Sequence, residues 1–120
     1  METANIHHKL ILIKVNWSIT KRGNLYDATR ASWRMSLKRA KRADYVAAVV
    51  DKEIKEIYGV DDWFPAKKDN LPWLTEDLPG RIGFSGIIAP QHVRQLYCGK
   101  MIPPQFYKKG LANPVLYTYK

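Results

Sequence analysis

Apolar and polar positions alternate along this chain in several distinct ways. Leu10-Ile11-Leu12-Ile13-Lys14-Val15 is a short, nearly unbroken apolar run rich in β-branched residues, which predicts a buried strand. Asn16 to Asn24 is polar and holds Gly23, and it predicts a loop. From Leu25 to Ala43 there is neither proline nor glycine, and the composition suits a helix capped by Asn24, with Asp27 in its first turn. At 100° per residue Tyr26, Trp33, Leu37 and Ala40 share one arc, and Arg30, Arg34, Lys38 and Lys41 share the next. Ser32 or Ser36 would split this stretch into two shorter helices, Ser36 then capping the second.

Tyr45 to Val50 is a second apolar run, Asp51-Lys52 reads as a tight turn, and Glu53 to Trp63 reads as the returning strand of a hairpin. In that strand Ile54, Tyr58 and Val60 share one parity, Ile57 and Trp63 the other, and Gly59 is the expected bulge. Pro65 to Gly80, with three prolines and Trp73, predicts a long loop, a kind of segment that often carries function. Ile82, Phe84 and Ile88 mark another strand. Pro90, Val93, Leu96 and Tyr97 mark a short helix ending at Gly99, and Val115, Tyr117 and Tyr119 a last strand. The expected fold is α+β: a small, curled mixed sheet or barrel with two or three flanking helices, in one domain over residues 1–120 whose first eight residues are flexible.

Charge changes the picture. The 120 residues carry a formal net charge of +9, unevenly distributed. Residues 21–42 hold eight basic residues against Asp27, residues 43–77 hold four lysines against nine acids, and residues 78–120 hold six basic residues and no acid. Two basic segments around an acidic middle favour a surface with one face turned to phosphate, so nucleic acid, RNA or DNA, is the expected partner. A single cysteine, Cys98, excludes an intrachain disulfide framework and a cysteine-rich zinc site. No apolar run approaches the roughly 18 residues of a membrane span, and no secretory leader is legible, so a cytoplasmic protein without membrane contact is expected.

The search for chemistry finds little. His7, His8 and His92 lack metal-site spacing, and no cofactor or metal is expected. Gly80 to Gly86 lacks the Lys-Ser/Thr ending of a phosphate loop. Asp61 and Asp62, beside Glu53 and Glu56, read as solvated hairpin carboxylates more readily than as a nuclease metal site.

Three segments together resemble a known architecture: Trp17 and Ala28-Thr29-Arg30-Ala31-Ser32-Trp33-Arg34, then Asp44 to Val50, then Glu53 to Val60. Across most of residues 9–90 the chain is similar to the PUA-like superfamily, in its EVE, ASCH and YTH branches. The Ala-Thr-Arg-x-x-Trp-Arg block also resembles small bacterial and phage proteins. The resemblance implies a barrel that reads one nucleotide, often a modified or flipped base. Such a site needs an aromatic face, hydrogen-bond donors and cations for the flanking phosphates. Trp17 and Trp33 are then the stacking faces, although Trp33 also lies on the apolar arc and suits a core. Arg30 and Arg34 would contact successive phosphates, with Lys21, Arg22, Lys38, Arg39, Lys41 and Arg42 extending the path, and Ser18, Thr20 or Asn24 would read a base edge.

Two alternatives stay open. ASCH-type hydrolases of modified nucleosides use a Thr, a Lys and a Glu, for which Thr20, Lys21 and Glu53 or Glu56 supply the residue types. A module that blocks a nucleic-acid machine through a protein contact would use Trp63, Phe64 and Trp73 as anchors.

Overall fold

The computed structural model describes residues 1–107 and 113–120; the side chain of Trp17 lies outside the described residues. Six strands make one mixed sheet: β1 (Leu10–Lys14), β2 (Trp33–Arg34), β3 (Tyr45–Val50), β4 (Glu53–Pro65), β5 (Arg81–Ile88) and β6 (Val115–Tyr117). Around it lie helices α1 (Asn16–Arg22), α2 (Leu25–Arg30), α3 (Leu37–Ala40) and α4 (Gln91–Tyr97). The strand order is β2-β5-β4-β3-β1-β6; β1 and β3 run parallel and the other neighbours antiparallel. The sheet is nearly closed into a barrel, the α+β architecture expected from the pattern.

The central strands are apolar on both faces because both faces are covered. Ile11 and Ile13 join Val46, Ala48, Tyr58, Trp33 and Phe84 in one core, while Leu10 and Leu12 join Ala47, Val49, Ile54, Ile57 and residues of α4 in the other. The parity expected in β4 is overturned by two bulges, neither at Gly59. Ala48 pairs with Glu56 and Val49 with Ile54, leaving Lys55 as the extra residue; Val60 pairs with Gly86 and Asp62 with Ser85, leaving Asp61. Each extra residue reverses the alternation. Ile54 and Ile57 therefore share a face, and Tyr58, Val60 and Trp63 share the opposite one. The Asp51-Lys52 turn matches expectation: Val50 pairs with Glu53, and both turn residues have positive φ, 50° and 70°, as a two-residue hairpin of matching twist requires.

Two helical expectations are corrected. Asn16–Arg22 is a helix, α1, not a loop; Gly23, at φ 82°, ends it by donating its N–H to Ile19 O at 3.0 Å. The long helix over Leu25–Ala43 is instead α2, β2 and α3. Trp33 leaves the helix to pair with Ile82, and Arg34 pairs with Arg81, so sheet hydrogen bonds replace helical ones. Trp33 Nε1 donates to Thr29 O at 2.7 Å, which satisfies both groups in the interior. Ser36 caps α3, its side chain accepting from Arg39 N, so one of the two serines suspected of splitting the stretch does so.

The loop from Pro65 to Gly80 folds onto itself. Ala66 N donates to Arg81 O and Leu78 N to Ala66 O, both at 2.9 Å, and Ala66, Leu71 and Ala31 form a third small core flanked by Phe64, Trp73, Leu74 and Leu78. At the start of the chain, Ala4 N donates to Met101 O at 2.8 Å, and the His8 ring lies 2.6 Å from the Tyr97 hydroxyl.

Candidate nucleic-acid interface

The site grows from the α1–α2 corner. Asn16, at the start of α1, hydrogen-bonds Asp51 in the β3–β4 turn at 2.6 Å, which fixes the helix against the sheet. Lys21 and Arg22 fall in the last turn of α1, where the helix dipole favours cations. Asn24 Oδ1 accepts from Asp27 N at 2.8 Å and so starts α2. Asp27 in turn holds Arg30 at 2.9 Å. Burial alone would raise the Asp27 carboxyl, but hydrogen bonds from Asn24 and Arg30, with the nearby Arg22 charge, outweigh it and keep it below the usual carboxylate range.

The loop after β4 brings Trp73 to this corner. Its ring lies 4.8 Å from the Arg22 guanidinium and 5.1 Å from that of Arg30, which also lies 5.2 Å from the Tyr26 ring. Beside this stack is a cavity of about 270 Å³ lined by Ser18, Arg22, Ala31, Ser32, Trp33 and Arg81. Arg81 Nη1 donates to Ser32 O at 3.3 Å. Arg34 is exposed and opposes Arg81 across the β2–β5 pair. Two buried donors here, Arg22 Nε and Trp73 Nε1, have no hydrogen-bond partner among the described residues.

The tertiary structure thus brings together Ser18, Arg22 and Trp33, with Arg30 and Arg34 next to them. It sets Lys38 and Arg39 in a second cleft, about 420 Å³, lined with Ser36 and Arg42. That cleft lies at the seam where α3 meets the edge strand β6. Arg39 stacks 3.6 Å from the Tyr117 ring and donates to Tyr119 O at 2.9 Å, while the Tyr119 hydroxyl donates back to Arg39 O at 2.8 Å. Trp17 occupies the first turn of α1, and its side chain is outside the described residues.

Thr20 and Lys21 are exposed on α1, Glu53 pairs with Lys55 at 3.2 Å, and none of the three lines the Trp33 cavity. Trp63 packs 5.1 Å from Phe84 and Phe64 joins the small loop core, so these aromatics turn inward. Among the described residues, no group of three or more metal-ligating side chains is assembled, and no helix is long and apolar enough to cross a membrane.

Arg81 and Trp73 are not expected at this corner from the sequence. The available signal was weak: Arg81 opens the acid-free C-terminal segment, and Trp73 sits in the one long loop. No protein-family model, curated protein or solved structure matches the chain.

Proposed function

We propose that the protein is a nucleic-acid-binding module that takes an unpaired or flipped base into the Trp33 cavity while Arg30 and Arg34 contact the flanking phosphates. The observation that carries this reading is the cavity itself: two guanidinium groups, an indole and two serines converge on a space of about 270 Å³ with no carboxylate in its lining. That volume falls just below the range of about 300–1,000 Å³ typical of pockets for drug-sized ligands, and suits a single ring system. The nearly closed six-strand sheet is compatible with a PUA-like fold, and membership of that superfamily and a cytoplasmic location belong to the same proposal.

The test is fluorescence anisotropy with labelled single-stranded RNA and DNA over a salt series. Arg30 and Arg34 on two phosphates would give a log–log salt slope of about −1.4 for single strands. Replacing Arg22 and Arg81 together with alanine should lower affinity at least tenfold while far-UV circular dichroism stays unchanged. Unaltered binding by that folded variant would remove the assigned site.

One observation favours a second reading, a protein contact. Ile87 and Ile88 are 69% and 52% exposed and, with Tyr26, Tyr58 and Gly86, border an open cleft. A partner recovered from nuclease-treated extract, and lost with Ile87→Asp, would support it.

A further inference from the structure

The polar groups around the Trp33 cavity are unbalanced, and the imbalance bears on which base it accepts; the inference rests on the nucleic-acid reading above. Arg22 Nε is buried and donates to nothing among the described residues. Arg81 contributes a second guanidinium, whose Nη1 donates to the Ser32 carbonyl at 3.3 Å. Trp33 Nε1 is committed to Thr29 O. No carboxylate and no amide side chain lines the space, which leaves the Ser18 and Ser32 hydroxyls as its acceptor-capable side chains.

A ligand entering this cavity meets donors in excess. A buried donor left unpaired is costly, so the favoured ligand is one that offers acceptors. The bases differ in this respect. Adenine and cytosine turn an exocyclic amine, a donor, towards a reader of their major-groove edge, and uracil and thymine present the single acceptor O4, whereas guanine presents O6 and N7, two adjacent acceptors that match a guanidinium fork. Guanine's own N–H groups can be met by the two serine hydroxyls. The walls of Trp33 and Ala31 suit a flat ring, which argues for a base over a phosphate group alone.

We infer that the cavity selects guanine, read by the guanidinium groups of Arg22 and Arg81. The experiment uses the full chain and short labelled single strands that differ only in one central base. The guanine strand should bind about tenfold tighter than the adenine, cytosine or uracil strand. Replacing guanine by 7-deazaguanine, which lacks the N7 acceptor, should abolish most of that preference in the unmodified protein. Arg22→Lys keeps the charge but loses the fork, and should level the bases while salt-dependent binding persists. Equal affinity for all bases with normal salt dependence overturns the guanine inference and leaves nucleic-acid binding standing. Affinity that follows a 5′-phosphate regardless of base overturns it in favour of an end-binding site. Absence of binding to every strand at low salt overturns both readings.

Discussion

The β4–β5 ladder passes through a point where backbone meets backbone. Gly86 pairs with Val60, beside the Asp61 bulge, and a Cβ built on Gly86 would lie 2.1 Å from Gly59 O and 3.1 Å from both the Gly59 carbonyl carbon and Val60 Cα. Backbone atoms in a paired ladder cannot rotate aside as a side-chain tip can, so Gly86→Ala must push the strands apart by about 1 Å, a shift the hydrogen-bonded ladder resists. Gly86 N also donates to the Tyr26 hydroxyl at 3.0 Å, so the same shift pulls on α2. Overpacking of this kind costs typically 1–3 kcal/mol, and an immobile obstacle puts the expected cost near ~3 kcal/mol. At about 4 °C per kcal/mol for a chain of this size, Tm should fall by about 12 °C. Gly59→Ala is the control. A Cβ there would meet Ile87 O at 3.9 Å and Tyr45 Cε1 at 4.0 Å, ordinary contact distances, so the change in stability should stay within about 1 kcal/mol. Thermal melts followed by circular dichroism decide the matter. Equal Tm values for the two variants would show that the strands do not approach as closely as this register requires.

Removing the α2 cap with Asn24→Ala should cost about 1 kcal/mol, read by chemical denaturation, because the Asp27 amide loses its acceptor. Tyr119→Phe removes the hydrogen bond to Arg39 O across the seam; a loss of about 1 kcal/mol is expected, with faster amide exchange confined to β6 and α3. Burial alone would raise the Glu56 carboxyl, but hydrogen bonds from Arg94 at 2.7 and 3.1 Å, from Ile57 N and from the Cys98 thiol hold it below its usual value. A carboxyl depressed in the folded state adds stability that is complete above its unfolded value, about 4.3, and is lost as pH falls through the folded one. The unmodified protein should therefore lose more stability on acidification below that point than Glu56→Gln, and parallel stability–pH curves would contradict the assignment. Burial and the neighbouring Glu56 charge push the Cys98 thiol up to about 11, so it should react slowly with a thiol reagent at pH 8 in the folded state and readily after denaturation.

Legibility in the sequence followed the range of the interactions involved. The strands β1, β3 and β5, the hairpin at Asp51-Lys52 and the helix after Pro90 depend on neighbours in the chain, and their patterns were readable. Ser36 and Asn24 act within three residues and were readable as caps for the same reason. Trp33 was the point of failure. Its helical arc was correct for a core residue, yet Ile82 competes for its backbone from 49 positions away, and sheet pairing outweighed local propensity. The bulges at Lys55 and Asp61 were also hidden, because an extra residue leaves no mark in composition and shows only when two strands are laid side by side.

The same division holds for the site. Residue order alone determined that this is a basic α+β chain with one cysteine, and that cations crowd residues 21–42, since charge and hydrophobic period are properties of the string itself. Folding decided which cations lie together. Arg22 meets Trp73 and Arg81 because the loop after β4 and the start of β5 close over the α1–α2 corner, while Arg39, seventeen residues along from Arg22, is drawn to the seam by Tyr117 and Tyr119. Contacts between residues 50 or more positions apart depend on sheet order, register and closure, which only the packing of both faces of the sheet could select.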